Sequence, residues 1–186
     1  MLKNIFLCGC IIVMVPPCVW AFDGEREGFV LGFGVGAGAA NIERIAWYQT
    51  RTDNLYGIYT DLTLGWGMSN RVVIHYAGRQ QFAFENDGWY LGFPAFGVSY
   101  FRKPEAPSLI LMAGVGMMLG LSIESVGTGS AYGVGGAGPY VGVGYEWSKN
   151  FAAEFCFGRS LDVLRDALEA DHSISWFSVS VHYLAY

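Results

Sequence analysis

Ser180 and His182 are separated by one residue, so on an extended strand they share a face, and Glu146 or Glu154 could orient the imidazole. That is the residue set of a nucleophile, its base and an orienting carboxylate. A small serine filling space beside an enclosed histidine explains the same spacing without any reaction, and this is the preferred reading: no catalytic residue is assigned. His172 and Ser173 are adjacent and point to opposite faces of a strand. The three histidines fall on separate segments and no Cys/His spacing recurs, so neither a metal site nor a cofactor is expected. The run GVGGAG at 133–138 has no Lys-Ser/Thr after it and opens no helix, which removes the phosphate-loop reading. A net charge of −5 argues against a nucleic-acid partner.

The remaining ionisable residues carry more information through their phase. Of 186 residues, 53% are hydrophobic and only 15% charged, and 26 are glycine. Apolar residues recur at every second position, the period of a strand. In 28–40, Phe29, Leu31, Phe33 and Val35 alternate with Gly28, Gly32, Gly34 and Gly36. The same pattern, with glycine or polar residues opposite the apolar face, continues through 55–67, 71–84, 108–123, 140–147, 151–158 and 172–186, whereas 89–102 is bulky on both faces. Pro94 falls inside the fourth segment and predicts a bulge. Asp61, Arg71, Arg79, Glu146 and Glu154, together with His75 and His182, all share the glycine-bearing face, whereas the opposite face carries only Arg159, at a strand end.

A charge facing mid-bilayer lipid costs about 2–4 kcal/mol, while one facing an enclosed lumen can find a partner. The phase therefore predicts an all-β fold: an eight-stranded antiparallel up-and-down transmembrane barrel, apolar outside and polar inside. Short turns at 68–70, 102–107 and 148–150 alternate with long loops at 41–54, 125–138 and 160–171; the exception is 85–88, a short connection on the long-loop side. Leu161, Leu164 and Leu168, with Ser160 as an N-cap, suggest a short helix in the last loop. Within the lumen, Arg71 and Arg79 are expected to pair with Asp61, Glu146 or Glu154 and close it with a charged network. Hairpin order sets Asp61 near Arg71 and Glu146 near Glu154.

Residues 1–21 read as a secretory signal: Lys3, an apolar run at 5–15, and Val19-Trp20-Ala21 before the cleavage position. The mature part is then one domain, 22–186. Cys156 is the one cysteine it keeps, so an intrachain disulfide is excluded.

The glycine-rich first strand GFVLGFGVGAG, the hairpin YVGVGYEWSKNFAAEF and the final strand SWFSVSVHYLAY resemble those of small eight-stranded bacterial outer-membrane proteins of the OmpA-, OmpX- and OmpW-like kind. The resemblance extends over 22–186 and is one of pattern. It implies residence in the bacterial outer membrane, contact with outer-membrane lipids and lipopolysaccharide, and insertion by the barrel-assembly machinery. The expected role is structural or surface-interacting, with a ligand of the extracellular loops as a possible partner. Two alternatives accompany the resemblance: a lipid A-modifying hydrolase, and a narrow channel for small apolar solutes. Such proteins end on an outward-facing aromatic; here alternation puts Tyr186 on the face of His182, and Tyr183 has the outward phase. The candidate loop residues carry three arginines against nine carboxylates, an acidic rim.

Overall fold

The computed structural model describes residues 25–46, 49–84, 88–122, 133–162 and 171–186. The signal segment 1–21 lies outside these residues. Eight long strands are present: β1 (Gly28–Ala46), β2 (Gln49–Ser69), β3 (Val72–Ala83), β4 (Trp89–Phe101), β5 (Ser108–Ser122), β6 (Gly133–Ser148), β7 (Phe151–Arg159) and β9 (Asp171–Ala185). The two-residue β8 (Leu161–Asp162) continues β7 beyond Ser160, still paired to β6 through Gly136 and Ala137. Every pairing is antiparallel, each strand lies beside its chain neighbours, β1 meets β9, and β5 pairs with β6. The sheet is thus closed on itself, which leaves no edge to be satisfied in lipid.

The faces point as the alternation predicts. Phe29, Leu111 and Val179 are 42%, 50% and 55% exposed on the outside, whereas Asp61 and Arg79 are 2% and 3% exposed inside. A soluble barrel has the opposite arrangement. The interior is filled by side chains, with Tyr59, Phe93, Met118, Tyr140 and Trp176 in one continuous cluster. This explains the glycines. Tyr140 lies against Gly97 and Gly114, His182 against Gly34, and a Cβ on Gly158 would stand 2.5 Å from Trp176 Nε1. An eight-stranded barrel is just wide enough for such filling, and its large rings fit because the facing wall has no side chain.

Four local expectations are corrected. The stretch 41–54 is not a long loop: the β1–β2 ladder runs unbroken to Ala46 opposite Gln49. Its residues are polar because they lie beyond the apolar band, where no lipid selects for alternation. Pro94 makes no bulge, since Gly92 opposite Leu119 and Ala95 opposite Gly116 keep one register. Proline lacks a donor, so rungs are lost at Phe93 and Pro94 without an inserted residue. The loop at 125–138 is shortened because β6 begins at Gly133. Of the expected helix, Leu161 and Asp162 are extended and paired, and 163–170 lie outside the described residues.

Candidate functional site

The charged residues of the lumen gather in three places. In the middle, Asp61 on β2 and Arg79 on β3 are direct ladder partners. Arg79 Nε stands 3.1 Å from Asp61 Oδ2, and the Tyr59 and Thr63 hydroxyls donate to the same carboxylate at 3.2 and 2.8 Å. Tyr59, Asp61 and Thr63 converge because alternate residues of one strand share a face. The guanidinium lies 4.0 Å over the Tyr140 ring and 5.9 Å from that of Trp176. One carboxylate and two aromatic faces thus hold the cation. Nearby, His75 Nε2 and the Tyr140 hydroxyl are 2.9 Å apart, and Ser99 Oγ stands 3.5 Å from His75 Nδ1.

A second group joins Glu154, Ser180 and His182. Glu154 Oε2 is 3.4 Å from His182 Nε2, and Ser180 Oγ is 2.8 Å from the same nitrogen. A serine relay needs the nucleophile on one ring nitrogen and the carboxylate on the other. Here both contacts crowd Nε2, and Nδ1 has no hydrogen-bond partner. Ser180 and His182 are moreover buried within the barrel, away from any lipid substrate at its surface.

The third group lies at the end that carries the β2–β3, β4–β5 and β6–β7 turns. Arg26, two residues before β1, folds into the mouth of the barrel and forms an ion pair with Glu146 of β6; both side chains are buried. Its Nη1 donates to the carbonyls of Asn70, Lys103 and Pro104 at 2.9, 3.0 and 2.6 Å, and its backbone N–H donates to Asn70 Oδ1 at 2.8 Å. The guanidinium lies 4.1 Å over Phe101 and 5.7 Å from the Tyr186 ring. The Tyr186 hydroxyl donates to Glu146 Oε1 at 2.9 Å. Burial, with the neighbouring carboxylate adding to it, pushes the Tyr186 phenol well above its usual pKa, so it stays a donor.

The expected lumen residues are therefore brought together in part. Asp61, His75, Arg79, Glu146, Glu154 and His182 face inward, but Arg71 is exposed, because the chain turns at Asn70 and Arg71 and β3 begins at Val72. The partner of Asp61 is Arg79, not Arg71. Glu146 faces Ala152 and Glu154 faces Gly144 across the β6–β7 ladder, so the two glutamates are not direct neighbours. Each finds its own partner, Arg26 and His182. Arg26 and Tyr186 complete the site and were not among the expected network. The signal for Arg26 was a lone cation just before the first strand, matched to a buried glutamate with no arginine on the inward face of its own hairpin. Tyr186 is buried, in agreement with its phase, and Tyr183 is the outward aromatic.

Two internal cavities of about 20 and 30 Å³ touch Arg79 from different sides. Each has room for about one water. A vestibule of about 530 Å³ opens at the turn end, lined by Arg26, Glu146, Tyr186 and residues of the turns. Among the described residues no cluster of three metal-ligating side chains occurs. At the opposite rim, Ser173 donates to Glu43 at 3.4 Å; Leu164 and Leu168 of the expected helix lie outside the described residues.

No protein-family model and no curated protein sequence matches the chain. Among solved structures it is similar to Ail, the attachment invasion locus protein of Yersinia pestis. That match has a TM-score of 0.51 and 15% identity, over 85% of this chain and 99% of that one. Neisserial surface protein A matches with a TM-score of 0.49 and 13% identity, over 81% and 96%. The outer membrane protein OprG of Pseudomonas aeruginosa matches at 0.48 and 8%, over 88% and 99%. At these identities the likeness is one of fold: this chain has the architecture of a small eight-stranded outer-membrane barrel.

Proposed function

We propose that the chain is an integral barrel of the bacterial outer membrane whose role is structural or surface-interacting, with a lumen closed by charge pairs and no catalytic activity. The observation that carries this reading is the buried Arg26–Glu146 pair, which ties the segment before β1 to a strand on another part of the wall and lies at the inner end of the turn-end vestibule. The Asp61–Arg79 pair, packed on Tyr140, narrows the lumen again at mid-height. The cavities that border Arg79 are of water size. Such an interior favours rigidity over conduction. The turn end then faces the periplasm and the opposite rim faces outward, where an acidic surface would meet an extracellular ligand. Lipopolysaccharide phosphates would approach that rim only with bridging divalent cations. Insertion would depend on the barrel-assembly machinery, and lipid contact on the apolar band.

The placement of both Ser180 and Glu154 at one nitrogen of His182 supports the non-catalytic reading over a lipid A hydrolase. Planar-bilayer recording of the refolded protein is the test. The expected result is no steady conductance from the wild type or from Arg26→Ala, whose lumen stays closed at Arg79; a wild type that conducts steadily overturns the closed-lumen reading. Lipid A mass spectra of cells with and without the protein are expected to be identical.

A further inference from the structure

One part of the lipid-facing wall is not apolar. On the outer face of the β3–β4 hairpin, successive outward rungs are Tyr76 opposite Phe96, Gly78 opposite Pro94, Gln80 opposite Gly92, and Phe82 opposite Tyr90. The first and last are aromatic pairs, each with ring centroids 5.4 Å apart. The two middle rungs hold a single long side chain, that of Gln80, so they form a notch between aromatic ridges. Both tyrosines lean over its floor: a Cβ on Gly92 would stand 3.2 Å from the Tyr90 hydroxyl, and one on Gly78 would stand 3.9 Å from that of Tyr76. On β2, Thr60 is the ladder partner of Gln80 and shares its outward face. Two tyrosine hydroxyls, one of threonine and one amide thus lie along this part of the outer face, where the neighbouring strands present Leu, Ile and Val. Among the described residues none of the four has a hydrogen-bond partner.

Polar groups left unpaired against hydrocarbon are destabilising. Acyl chains offer neither donors nor acceptors. We propose that a second copy of this chain covers the notch, forming a two-fold dimer in the membrane. The chemistry selects a copy of the same surface. An amide and hydroxyls each donate and accept, so a two-fold axis through the notch can set Gln80 of one protomer against the amide or a tyrosine hydroxyl of the other. The glycine and proline floor lets the two walls approach closely, and the aromatic ridges fix the register. Association within lipid has no hydrophobic drive, and depends on such close packing and on hydrogen bonds between segments. A two-fold contact is the commonest symmetric solution. The inference uses only the membrane-facing direction of the wall and is independent of whether the lumen is closed.

The test is Förster transfer between two separately labelled populations of the full chain, refolded together into phosphatidylcholine vesicles over a range of protein-to-lipid ratios. Wild type is expected to show transfer that saturates at a dimer. Gln80→Leu is expected to weaken association at least tenfold. The double variant Tyr76→Phe, Tyr90→Phe keeps the rings and loses the hydroxyls, and is expected to weaken it as well. Ile74→Leu, elsewhere on the lipid face, is expected to leave it unchanged. Heat-dependent gel mobility reports in each case that the barrel is folded. A wild type that stays monomeric at every ratio overturns the proposal, and so does a dimer that both variants leave intact. A notch covered in cells by a lipid headgroup or a different membrane protein would appear as the first of these outcomes.

Discussion

Arg26 and Glu146 are 120 residues apart in the chain and form an ion pair in which both side chains are buried. The pair brings together the segment before β1, the β2–β3 and β4–β5 turns and the C-terminal tyrosine around one guanidinium. These partners converge only when the sheet has closed.

Arg26→Ala leaves the Glu146 carboxylate buried without its cation. Breaking such a pair from one side costs about 3–5 kcal/mol. The expected result is a matching drop in stability, read from urea titrations by the shift between folded and unfolded gel mobility. The double replacement Arg26→Met, Glu146→Leu is expected to recover most of it, because neither charge is then left alone.

Asp61 and Ser180 separate a structural charge from a filler. Asp61→Asn removes the counter-ion of Arg79, and a loss near 3 kcal/mol is expected. Ser180→Ala removes one hydrogen bond from His182, for which about 1 kcal/mol is expected. Equal effects at the two positions would contradict these assignments.

The glycines beneath the interior rings are expected to resist enlargement. Gly158→Val thrusts carbon into the Trp176 indole. Overpacking of this kind costs about 1–3 kcal/mol, sometimes more. Val141→Leu, on the lipid-facing side of the paired strand, is expected to change the urea midpoint little.

Tyr186 gives a pH signature. Its phenol is pushed upward in the folded chain, whereas the unfolded phenol titrates near about 10. Above that pH the unfolded state has lost a proton that the folded state keeps, so stability falls as pH rises; below it this group contributes no slope. Tyr186→Phe is expected to flatten the decline between about pH 10 and 11 relative to wild type. Identical slopes in the two proteins would show that the buried phenol is not its source.

The barrel was legible in the sequence because lipid enforces alternation: Phe29, Leu111 and Val179 must face hydrocarbon, and every second residue then faces in. The same cause explains what was not legible. Beyond the lipid band nothing enforces alternation, so the polar ends of β1 and β2 resembled a loop although they are paired to Ala46 and Gln49. Phase alone put Arg71 inside, but phase has meaning only within a strand, and the turn releases that residue to solvent. The site was found in its strand-borne members. Arg26 escaped because it precedes the first strand and has no phase to betray it; the buried charge of Glu146 was the one hint that a cation from elsewhere was required.

The glycine-lined wall beneath Tyr140, His182 and Trp176 inverts the usual geography of mutational tolerance. In most proteins the surface forgives and the centre does not because the centre is greasy. In this chain the greasy positions are the interchangeable ones, and the smallest residue is the hardest to replace. A saturation library scored for assembly should therefore yield a two-beat pattern along each strand, permissive and forbidding sites in strict turn, which would serve as an independent read-out of strand register.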